Sequence, residues 1–186
     1  MGNINKIVLV AVLAFLTGCG TVEKEDWFPL NAEASRVASS PELARRFLSD
    51  TTRLSFNQTQ HGTQYEYHSE GGRVFLWYPG NRSIVLGSWR IESSSTGRNP
   101  NLCYRYGAGS FNPVTGQRGG SWECRSFLAI DVAGGGTLKG DPFSLGTGRI
   151  PFVMVGRDFY SPDSVMQAIG KDPALLDYIS NVSEID

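Results

Sequence analysis

The chain has 186 residues, 40% of them hydrophobic, and its 17 Lys and Arg against 18 Asp and Glu leave a formal net charge of −1. That length supports one modest core, and the balanced charge lacks the basic stripe of a nucleic-acid binder, so no nucleic-acid partner is expected. Arginine is far commoner than lysine, and a planar guanidinium suits forked contacts with carboxylates or stacking on aromatic rings.

The chain opens with Lys6 and an uninterrupted apolar run, Ile7 to Phe15, the layout of a secretory signal and too short to span a bilayer. It leads into Leu16-Thr17-Gly18-Cys19, which resembles the lipobox of bacterial lipoproteins. The resemblance implies cleavage before Cys19, acylation of that cysteine by diacylglycerol and palmitate, and a membrane partner held through the lipid anchor. Gly20 stands where enteric bacteria place Asp to retain lipoproteins in the inner membrane, so the resemblance implies the outer membrane, facing the periplasm. The expected organisation is residues 1–18 as signal peptide, 19–38 as tether and 39–186 as a single β-rich domain with C-terminal helices. An exported chain meets oxidising conditions, and with Cys19 acylated, Cys103 and Cys124 are left to pair with each other. Such a disulfide stabilises by about 3 kcal/mol in the chain-entropy picture. A zinc pair is the alternative, but no histidine or third thiol stands nearby.

Ser40-Pro41-Glu42 followed by Leu43, Phe47 and Leu48 predicts a short capped helix with one narrow apolar stripe. From Thr52 to Ile130, aromatic and β-branched runs broken by Gly, Pro and Asn predict successive strands. The clearest pair, Gly72–Tyr78 and Ser83–Ile91, is joined by Pro79-Gly80-Asn81-Arg82. Val74, Leu76 and Tyr78 alternate with Phe75 and Trp77, so both faces carry apolar groups. Strands at Leu102–Tyr106 and Trp122–Ile130, with 107–120 as a loop, place the two cysteines on neighbouring strands. The stretch Gly134–Gly148 is expected to be irregular, and Ile150–Val155 to be a last strand. Ser161-Pro162-Asp163 and Asp172-Pro173 open helices. The fold class is therefore mostly β (α+β): a small antiparallel sheet or partly closed barrel with short peripheral helices at both ends.

Glu66, His68 and Glu70 alternate, with His61 nearby, and form the metal candidate. Tyr65 and Tyr67 on the other side look core-facing, which makes the polar three the wet face of an edge strand, so no metal is expected. His68 as a general base lacks a nucleophile motif such as G-x-S-x-G, and no catalytic residue is assigned. The run Gly134 to Asp141 has the residue types of a phosphate loop in the wrong order, and no cofactor is expected. Tyr104, Arg105, Tyr106, Trp122 and Arg125, with Arg118 on the adjoining loop, are the candidate binding surface.

The succession G-S-W-R-I at Gly87–Ile91, L-C-Y-R-Y at Leu102–Tyr106 and W-E-C-R at Trp122–Arg125 resembles a family of uncharacterised proteobacterial secreted proteins, a likeness that carries no activity with it. The reading is a non-enzymatic envelope lipoprotein that binds or assembles with an envelope protein partner. The alternatives are an inhibitor of a glycosidase such as lysozyme, resembling the small β-barrel inhibitor lipoproteins and acting through the 107–120 loop and Arg118, and an enzyme acting on envelope polymers.

Overall fold

A computed structural model describes residues 36–94, 99–111, 118–128 and 136–179; Cys19 and the lipobox lie outside the described residues. Helix α1 spans Pro41–Leu48, with Ser40 accepting from the Leu43 amide, Glu42 in the first turn and Arg45 and Arg46 in the last, the polarity favoured by the helix dipole. It leads into β1 (Thr51–Asn57), β2 (Gly62–His68), β3 (Arg73–Trp77), β4 (Val85–Glu92), β5 (Asn101–Tyr106), β6 (Glu123–Ser126) and β7 (Thr137–Lys139). All neighbours are antiparallel, in the order β6-β5-β4-β3-β2-β1-β7. The expected β3–β4 hairpin forms, Val74 facing Gly87 and Leu76 facing Val85.

The sheet is strongly curled into a half-barrel. Flat, β2 and β5 would stand roughly 14 Å apart, three strand spacings, yet the His68 ring of β2 lies 2.8 Å from the Tyr104 hydroxyl of β5 on one face. Curling explains the apolar alternation on both sides, because each face covers its own core. On the concave face Val74, Trp89 and Leu102 pack with Val37, Ala38, Ala44, Phe47 and Leu48 from the α1 region and with Phe127. Val37 and Ala38 are fully buried, so the body of the domain begins before residue 39.

The convex face of β1–β3 carries Leu54, Tyr65, Phe75 and Trp77, covered by Phe143, Leu145, Met154, Val165 and Met166. The C-terminal segment supplies that cover: a 3₁₀ turn at Leu145–Thr147, helix α2 (Pro162–Ala168) capped by Ser161, and a 3₁₀ turn at Pro173–Leu175.

Several expectations change here. Ile150–Val155 is not a strand: Pro151 lacks an amide proton, and the segment meets the sheet through isolated bonds, Phe152 O accepting from the Trp77 indole and Met154 O from the Gly80 amide. The glycine-rich stretch from 134, expected to be irregular, instead supplies β7, which closes the open edge of β1 with Thr52 opposite Leu138. The strand expected over 122–130 is shorter, Phe127 and Leu128 being helical, and Asp172-Pro173 opens a single 3₁₀ turn. Finally, β2 is an interior strand, not an edge; the edges are β6 and β7.

Candidate functional site

The inner surface of the half-barrel holds a polar network where a small β-domain would ordinarily place hydrocarbon. Arg53 of β1 stands opposite Glu66 of β2, and Thr51 opposite His68. From β5, Tyr106 donates to Glu66 Oε1 at 2.7 Å, and the Tyr104 hydroxyl meets His68 Nε2 at 2.8 Å and Glu66 Oε2 at 3.4 Å. The two tyrosine rings stack almost in parallel, 6.0 Å apart. Both phenols are held well above their usual pKa, first by burial and then by the Glu66 charge, with Arg53 pulling Tyr104 the other way. They therefore stay protonated and donate.

His68 is fully buried, and among the described residues its Nδ1 makes no hydrogen bond. Burial, reinforced by the Arg53 charge, pushes its pKa down to about 3, against a smaller opposing pull from the Thr51 and Glu66 main chain. The imidazole is a neutral structural member packed edge-on to Trp89 at 5.5 Å.

Gly87 makes the span across β4 possible. A Cβ there would lie 2.7 Å from Tyr106 Cδ1 and 2.9 Å from Val74 Cγ1, well inside van der Waals contact, so only glycine lets the Tyr106 ring lie across the strand toward Glu66. The tyrosine pair thus has fixed planes. Beside it opens a cleft of about 90 Å³, lined on one side by Leu76, Tyr78 and Val85 and on the other by Phe111, Arg118 and Glu123. Phe111 is 48% exposed and Arg118 stands over its ring at 5.1 Å, the two joined by a β-bridge at the base of the 107–120 loop. Residues 112–117 of that loop lie outside the described residues.

The predicted binding residues therefore divide. Tyr104, Tyr106 and Arg118 come together at the cleft. Arg105 and Trp122 stand on the convex face, where Arg105 and Arg90 both stack on the Trp122 ring at 4.9 and 3.9 Å. Arg125 is exposed on the edge strand β6, opposite Leu102. The metal candidates divide as well. Glu66 and His68 share the network, but Glu70 is exposed in the turn after β2, its carbonyl accepting from Arg45, and His61 bonds the neighbouring Gly62 carbonyl. The expected wet face is the interior one. Among the described residues, ligand atoms converge at Glu92, Cys103 and Cys124, but these sulfurs form the Cys103–Cys124 disulfide, across directly paired positions of β5 and β6.

The sequence pattern marked no site role for Arg53 or Phe111, and marked Gly87 only as the first residue of G-S-W-R-I and Tyr78 only as an alternating apolar position. Strand parity was the available signal for Arg53, which alternates with the buried Leu54.

Fold and site together define a one-disulfide β half-barrel with a cleft bordered by aromatic rings. The chain matches no family model, no curated protein and no solved structure.

Proposed function

We propose that this chain is an envelope lipoprotein, anchored by lipid at Cys19 in the outer membrane and facing the periplasm, with a non-enzymatic binding role exercised through the concave cleft. The observation that carries the binding role is the cleft itself. Its floor of Tyr104 and Tyr106 is held by Glu66, while its lip presents an exposed aromatic ring and a guanidinium, Phe111 and Arg118. Rigid aromatic and arginine anchors around a small pocket are what a partner's side chain needs in order to dock with little loss of entropy. Glu66 is engaged by both tyrosine hydroxyls and His68 is fully buried, which favours binding over acid-base chemistry.

Two measurements test this. Labelled palmitate should enter the native protein and fail to enter Cys19→Ser; absence of label from the native protein overturns the anchor. Co-purification from solubilised envelopes should yield a stoichiometric partner that is lost on Phe111→Ser or Arg118→Glu. A partner retained by both variants overturns the cleft assignment.

The exposed Arg118 at the loop base also favours the glycosidase-inhibitor reading, in which a basic side chain enters an acidic catalytic cleft. Lysozyme inhibition that disappears in Arg118→Glu would select it.

A further inference from the structure

The C-terminal cover hides the convex face over β1, β2 and the Phe75–Trp77 end of β3 and leaves it open at Arg73 and over β4 and β5. Register places Arg73, Ser88 and Arg105 in one row across β3, β4 and β5, with Arg90 two residues beyond Ser88 on the same face of β4. All three arginines are exposed. Each guanidinium lies over a ring: Arg73 over Phe75 at 5.2 Å, and Arg90 and Arg105 over Trp122 at 3.9 and 4.9 Å. Leu86, 45% exposed, lies on this face opposite Phe75. Among the described residues Glu92 is the carboxylate on the patch and pairs with Arg90; Glu70 lies beyond its edge, in the turn before β3.

We propose that this exposed convex face docks on an anionic phospholipid bilayer. A single row of guanidiniums on a sheet face, interspersed with a tryptophan ring and an exposed leucine, matches a plane of phosphates above a shallow apolar layer. It combines the interfacial preference of Trp with the attraction of basic side chains to acidic headgroups. Contact with the rings restricts the guanidiniums before docking and so lowers the entropy lost on binding. The apolar run Ile7–Phe15 brings the chain to a membrane, so the proposal depends neither on acylation at Cys19 nor on what fills the cleft. Docking by this face would leave the concave cleft turned away from the lipid, open to a partner.

The test uses the full chain carrying Cys19→Ser, so that no acyl group contributes, mixed with vesicles of phosphatidylcholine alone or with added phosphatidylglycerol. The leader partitions equally in every variant and cancels in the comparison. At about five-fold for each positive charge removed, with Arg90→Gln leaving the Glu92 carboxylate uncompensated, the triple variant Arg73→Gln, Arg90→Gln, Arg105→Gln should bind anionic vesicles about 125-fold more weakly. Its binding to neutral vesicles should not change, and the difference should shrink in high salt. Ser88→Glu puts a carboxylate in the middle of the row without touching the core and should weaken anionic binding several-fold, which decides the matter should the triple variant not fold. Anionic-vesicle binding unchanged in Ser88→Glu and in a folded triple variant overturns the proposal. So does binding of dextran sulfate that falls in these variants while vesicle binding stays the same, since the face would then recognise a soluble polyanion.

Discussion

His68 makes the domain acid-sensitive in a way that can be worked out from its surroundings. Its pKa lies at about 3 in the folded protein against 6.5 when exposed, so between those values the unfolded chain binds a proton that the folded one refuses. Stability therefore holds at its neutral-pH level above 6.5, falls as pH drops through that window and levels off near 3. Each pH unit inside the window removes about 1.4 kcal/mol, so acidification to pH 4 removes about 3 kcal/mol through this one ring, a large share of the roughly 5–15 kcal/mol that holds a domain together. Replacing the ring by an uncharged side chain, His68→Gln, should lower stability at pH 7 because the contact with the Tyr104 hydroxyl is disturbed, and should flatten the decline below pH 6.5. Guanidinium unfolding of both proteins at pH 7, 5 and 4 measures the difference in slope, and an NMR titration reads the imidazole directly. Equal losses in the two proteins from pH 7 to 4, or an imidazole titrating near 6.5 in the folded state, would refute the reasoning.

Two further outcomes follow from the same geometry. Gly87→Ala places a methyl group 2.7 Å from the Tyr106 ring and should cost about 1–3 kcal/mol by overpacking, read by thermal unfolding, with tyrosine ring signals showing the floor of the cleft displaced; wild-type stability would mean that the ring does not lie over this glycine. Reduction of Cys103–Cys124, which spans a sequence separation of 21, should cost about 3 kcal/mol and free the edge strand β6, measured by denaturant midpoint and by amide exchange in β5. A reduced protein as stable as the oxidised one would show that the ladder alone sets this register.

The parts of the molecule that were legible from the chain are those whose causes are local. Ser40-Pro41-Glu42 caps a helix wherever it stands, because the hydroxyl, the fixed proline angle and the dipole act within one turn. Pro79-Gly80 turns β3 back toward β4 for a similarly short-range reason. The disulfide was read by elimination, an exported chain with Cys19 acylated leaving Cys103 and Cys124 to pair, and the tyrosines beside Cys103 marked the cleft. His68 shows the limit. Alternation correctly put it on one face with Glu66, but the choice between solvent and interior depends on how far the whole sheet curls.

The sequence alone determined the short capped helices, the hairpin and the mostly β class, all consequences of residue-level propensity and spacing. Only the tertiary structure decided which strand is interior, which face is concave, that three residues after a glycine run become an edge strand, and that Ile150–Val155 covers the sheet without joining it. These outcomes rest on pairings between residues far apart in the chain, such as Thr52 with Leu138 and His68 with Tyr104. No local pattern encodes such pairings, because their energies exist only once the sheet has closed on itself.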